Sequence, residues 1–276
     1  MAITAASVIS PNRSATDASS YNTASRSPGA NKLQLLAVHA INSAASNPAA
    51  PTISGAGLTW VEVASSLYDT GGSNRARVTL FRAMSASPGS GALTITFSET
   101  MTNCEWTWIE FDGVDTSGTN GSGAIVQSAT NNATATSLSV TLAAFGDATN
   151  NVAYGCFAHQ ANEANTAGSG FSLSFGGTDQ TIAGASRVAS LGAEWKTGED
   201  TGVDMSWTTS ALCGGIAVEV KMAAAGGDKT VIATRAGAVA SAPTHVPAIT
   251  AVATIAAAIA SAGTHVVSTV PLTTVV

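Results

Sequence analysis

Cys104-Glu-Trp-Thr-Trp-Ile-Glu-Phe-Asp112 alternates residue by residue, with Trp106, Trp108 and Glu110 on one side of an extended chain. A period of two is that of a β-strand, whose side chains leave the backbone on opposite faces in turn. The same beat spreads outward. Leu93-Thr-Ile-Thr-Phe97 alternates between apolar residues and threonine, Arg77–Met84 sets Val78 and Leu80 against Thr79 and Phe81, and Leu58–Tyr68 alternates around Trp60 and Glu62. Leu33–Ile41 is apolar throughout, the mark of a strand buried on both faces. Downstream, strands are expected at Ser137–Leu142, Val152–His159, Phe171–Phe175, Thr181–Ala193, Val203–Trp207 and Cys213–Val220. Gly, Ser, Asn and Pro separate these runs, and none before residue 222 has the 3.6-residue period of a capped helix.

These features predict an all-β fold: an antiparallel two-sheet sandwich, jelly-roll-like, over residues 1–222, with Leu35, Val38, Val61, Leu80, Ile95, Trp108, Phe157 and Val218 in its core. Residues 223–229 read as a linker, and 230–276 as a C-terminal arm built of repeats.

Composition excludes some functions. Charged residues make up 10% of the 276-residue chain, and the formal net charge is −6, so there is no basic footprint for nucleic acid. No apolar run reaches the length of a membrane span, and the first residues have neither a basic nor a continuous apolar region of a signal peptide. The expected setting is therefore away from membranes. Cys104, Cys156 and Cys213 are too few and too far apart for a disulfide framework or zinc site, and read as small core residues. His39 and His159 fall within strands, and no metal or cofactor motif includes them, so no cofactor is expected.

Three constellations could carry chemistry. Trp106 and Trp108, two apart on one strand face, would stack on sugar rings if they faced solvent, or fill the core if they faced inward. Glu110-Phe-Asp112-Gly-Val-Asp115 resembles the acidic strand of β-sandwich glycoside hydrolases related to laminarinases, which would need these carboxylates to line a cleft. Asp115 stands where a longer acid would be needed, so a solvated strand end is the competing reading and no catalytic residue is assigned. The oxygen-rich run Asp112–Gly123 could hold a structural calcium ion, although turn chemistry alone accounts for it and no metal ligand is assigned.

The arm repeats with an offset of 20 residues: Thr230–Val246 aligns with Thr250–Val266, and Thr274 begins a third copy. Two units of small residues bury little by themselves and call for neighbours. The assembly residues assigned here are Thr230, Ile232, Val239, His245 and Val246, with Thr250, Val252, Ile259, His265 and Val266 at the repeated positions. Their spacing fits one helical face, and the Thr/Val/Ile alternation around Pro243 and Gly263 fits two short strands.

Arg77-Val-Thr-Leu-Phe-Arg-Ala-Met84 and Trp108–Gly123 together resemble β-sandwich virion proteins encoded by bacteriophage genomes and environmental viral sequences, over about residues 30–220. The arm resembles the repeats of trimeric viral fibre shafts. The resemblance implies a non-enzymatic structural protein of the virus particle (capsid decoration, fibre or appendage), made in the host cytoplasm. Its partners would be copies of itself, a trimer on the fibre likeness, and other virion proteins. A carbohydrate-binding module or adhesin, contacting a surface glycan, is the alternative, with a β-sandwich glycosidase behind it.

Overall fold

The computed structural model describes residues 2–42, 47–68, 75–173, 180–183 and 188–224; at 6–12 and 180–183 the backbone alone is described. The chain divides into two units, Met1–Asp228 and Lys229–Val276. The second unit, and with it every assembly residue assigned between Thr230 and Val266, lies outside the described residues.

The described part of the first unit is an all-β antiparallel sandwich. In chain order the strands are β1 (Thr4–Ser14), β2 (Ala18–Asn22), β3 (Leu33–Asn42), β4 (Thr52–Gly55), β5 (Val61–Tyr68), β6 (Arg75–Ala83), β7 (Leu93–Met101) and β8 (Asn103–Asp112). After a single helical turn at Ser122–Ala124 come β9 (Ile125–Thr141), β10 (Val152–His159), β11 (Thr166–Ala167), β12 (Ser172–Leu173), β13 (Gln180–Ala183), β14 (Val188–Thr197) and β15 (Gly202–Val220).

The first half folds as a hairpin doubled over on itself: β1 pairs with β8, β2 with β7 and β3 with β6. One sheet has the order β1-β8-β3-β6-β5, and the other β2-β7-β4. This nested pairing is the jelly roll. The second half repeats it. Residues 125–135 of β9 pair with 211–220 of β15, residues 137–141 pair with 202–206, and β10 pairs with β14. Thus β9 fills the places of β1 and β2 as one strand, and β15 those of β7 and β8. The short β11 pairs with the first part of β15 as β4 pairs with β7. β12 and β13, both paired with β14, take the place of β5. The expected all-β sandwich therefore stands, built within one compact unit from two such nested pairings in succession.

Three apolar clusters hold these layers. Leu36, Val38, Phe81, Ile95, Trp106 and Trp108 fill the space under β2-β7-β4. Val140, Phe157, Val203, Met205 and Trp207 do the same in the second half. Between the five-stranded sheet of the first half and strands β14, β10 and β15 of the second, Leu35, Leu80, Ile109 and Phe111 meet Tyr154, Leu191, Ile216 and Val218. Alternation sorts these sets: along β3, Leu35 and Ala37 face the shared core, while Leu36 and Val38 face the outer one. Each fully buried side chain of this size contributes roughly 1.5–3 kcal/mol of transfer free energy. Gly214 and Gly215 are slots on opposite faces of β15. A Cβ at 214 would sit 2.4 Å from the Tyr68 ring, and one at 215 would sit 2.5 Å from that of Phe157.

Several boundaries differ from expectation. Val61 begins β5 and is only half-buried, because β5 is a sheet edge. Thr181–Ala193 divides between β13 and β14, whereas Val203–Trp207 and Cys213–Val220 join as one bent strand. The residues Ile125–Thr136, not anticipated as strand, set small polar side chains on one face against mainly alanine on the other, too weak an apolar beat to read as a strand.

Candidate functional site

Trp106 and Trp108 point into the outer core of the first jelly roll, 3% and 0% exposed. The Trp108 Nε1–H donates to Gln34 Oε1 at 3.0 Å, the ring meets Trp60 edge to face, and the Arg26 guanidinium lies 4.7 Å above it. Trp106 packs against Tyr21. Neither ring offers a face to a sugar, so the stacking role is corrected to a core role: the three-stranded sheet covers the strand face that the pattern left open.

Glu110 also faces inward on β8. Its Oε2 accepts from the Gly29 N–H and Gln34 Nε2, both at 2.8 Å, and Arg26 and Lys32 lie 3.4 and 3.3 Å away. Burial pushes its pKa up, but those hydrogen bonds and cations outweigh it and hold the carboxyl below its ordinary range. A general acid needs the opposite shift. Lys32 also bridges to the half-exposed Asp112 at 3.4 Å. Asp115 turns away to Lys221 at 2.7 Å, and that bond with the Ser117 N–H lowers it to about 2. Glu110 and Asp112 thus share Lys32, Asp115 pairs with Lys221, and all three acids serve structural contacts.

The loop after β8 satisfies its oxygens with protein donors. Asp112 accepts from Gly113 N–H, Ser122 Oγ from Thr119 N–H, and the Arg82 guanidinium donates to the carbonyls of Thr119 and Asn120. Among the described residues, no group of three His, Cys, Asp or Glu side chains is placed to hold a metal ion.

A relay that the sequence did not announce lies in the shared core. Tyr68 OH is 2.6 Å from His39 Nε2, and His39 Nδ1 is 2.9 Å from Glu105 Oε2. Burial, with His159 nearby, lowers His39 to about 3, so the ring is neutral. Burial likewise raises the Tyr68 phenol, which therefore donates to Nε2 and leaves Nδ1–H to donate to Glu105. All three residues are 3% exposed or less, so this relay orders a core and meets no substrate. On the far side of the second jelly roll, Glu194 is fully buried and accepts from the Gly168 N–H at 2.8 Å. Burial, reinforced by Asp204 and Asp200 against that one hydrogen bond, raises it to about 8.

A cleft of about 780 Å³ opens at the start of β9. Ile125, Val126 and Met222 give it an apolar floor, and Asp147, Asn150 and Lys221 a polar rim. Asp147 accepts from Thr149 and Asn150, and Lys221 is held by Asp115, so its charges are engaged locally. Ala223 and Ala224 also line this cleft.

Cys104, Cys156 and Cys213 are free and buried, as read from the sequence. No known protein family, no curated protein and no solved structure matches the chain.

Proposed function

We propose that this protein is a structural subunit of a bacteriophage particle, a decoration, fibre or appendage protein, which assembles with copies of itself through its C-terminal arm. The observation that best supports this reading is how the charged groups of the body are used. Glu110, Asp115, Lys221 and the His39–Glu105 pair, which could have served chemistry, each fasten one strand or loop to another. What remains available is a rigid body and a low-charge, repeated arm of 47 residues (230–276). Repeats of one unit suit equivalent sites on symmetric neighbours.

Shortening the chain after Ala224 tests this. The reading expects the native chain to be oligomeric in light scattering, and the shortened chain to keep its β spectrum and melting cooperativity but lose mass. Equal mass for both would end the arm's role. Binding of the native monomer to host-surface glycan would favour the adhesin instead.

A further inference from the structure

The two halves treat corresponding edges of their two sheets differently. The edge strand of the first half, β1, contains Pro11 and Arg13, and its register against β8 slips twice, between Ala6 and Ile9 and between Ile9 and Asn12. Proline, charge and bulges are the usual means of preventing an edge from recruiting another strand. Its counterpart β9 has neither proline nor charge, and its two register shifts flank residues 127–135. From Ile125 to Thr141 there is no charged residue and no proline, and residues 127–135 pair with β15 without a slip. Among the described residues β9 pairs with β15 alone. Ser128, Thr130, Asn132, Thr134 and Thr136 are all exposed.

We propose that the free edge of β9 pairs antiparallel with β9 of a second copy, about a twofold axis at Asn132. A twofold contact sets residue i against j and j against i, so the strand must be compatible with its own reverse. This one is. With Asn132 opposite itself, Thr130 meets Thr134, Ala129 meets Ala135 and Ser128 meets Thr136. Thr–Thr pairs and small apolar pairs are favourable across strands, and no like charges are opposed. Nine residues at ~3.4 Å each, on a sheet ~10 Å deep, give roughly 600 Å² in total over both copies. A specific interface needs about 1,000 Å². The edge is therefore a secondary contact, closing between copies that the arm has already gathered. In this it rests on the proposed role of the arm.

Sedimentation of three full-length chains tests the pairing: native, Thr130→Lys/Thr134→Lys and Thr130→Glu/Thr134→Lys. All the substituted side chains are exposed, and far-UV spectra check the fold. In the double-lysine chain each new cation faces another, and association should weaken about tenfold. In the Glu/Lys chain each faces its opposite, and association should return to the native value and become salt-sensitive. Equal association of all three overturns the β9 contact; if the chain shortened after Ala224 is then monomeric, the arm's role stands without it. Association that survives shortening and fails only in the double-lysine chain keeps the β9 contact and removes the arm. A native chain that stays monomeric overturns both.

Discussion

Glu110 and Glu219 hold the same place in two successive jelly rolls, 109 residues apart. Each points into an outer core from the last strand of its half and catches the loop before the second major strand. Glu110 takes the Gly29 N–H and the Gln34 amide; Glu219 takes the Gly146 N–H at 3.1 Å and the Asn151 amide at 2.6 Å. A carboxylate offers about four lone-pair directions, and here it joins a strand end to a loop that apolar packing alone would not position.

That equivalence predicts matched penalties. Glu110→Ala and Glu219→Ala should each destabilise the fold by about 2–4 kcal/mol, since each leaves buried donors without an acceptor. The Glu110 change should cost more, because Arg26 stays behind, with its side chain 9% exposed. Urea unfolding measures both; a negligible effect at either site would show that the carboxylate is not an anchor.

His39 gives the fold an acid limit. The native ring takes a proton only at about 3, whereas an unfolded histidine does so near 6.5. The stability it contributes is complete above pH 6.5 and declines as pH falls from there toward 3. Melting temperatures at pH 7.5 and pH 4.5 should differ less in His39→Gln than in the native chain. An unchanged difference would place the acid sensitivity elsewhere.

Glu194 works in the other direction. Its native pKa is about 8, against 4.5 for a free glutamate, so the stability it contributes is present below pH 4.5 and is lost as pH rises to 8. Glu194→Gln keeps the acceptor for Gly168 and cannot ionise. It should stabilise the protein at pH 8 by on the order of 2 kcal/mol and leave it unchanged at pH 4. Chemical denaturation at the two pH values tests the contrast.

Much of the fold was legible because alternation records burial. Val152–His159 was read to the residue, and the Leu33–Ile41 run to within one. Thr130, Asn132 and Thr134 carry no such record, since they are exposed on a strand whose other face holds alanine. The repeated pairing is nearly silent in the sequence for a related reason: along β8 and β15 the matched positions share only Cys104 with Cys213 and Glu110 with Glu219. At the remaining positions burial constrains how space is filled more than by which residue: Gly215 stands where Trp106 does, with the Phe157 ring against it. Trp108 was expected in the core, but the stacking alternative for Trp106 and Trp108 stayed open for want of the covering sheet, and Tyr68 and Glu105 meet His39 from strands far apart in sequence.

With Trp108 in the core, Trp108→Ala should lower stability by about 3–5 kcal/mol. Its fluorescence in the native chain should be blue-shifted and indifferent to added oligosaccharide. Quenching by a soluble glucan would contradict that placement.

The nested pairing also bears on how the chain is made. Thr4 pairs with Asp112, so the first jelly roll can close as soon as its own last strand has left the ribosome, before β9 has emerged. Until the second half arrives, the face bearing Leu35, Leu80 and Ile109 stands uncovered. Synthesis thus passes through a half-built protein with one finished core and one apolar face open to water. The speed with which the second hundred residues follow sets how long that face can be captured by a chaperone or by another nascent chain.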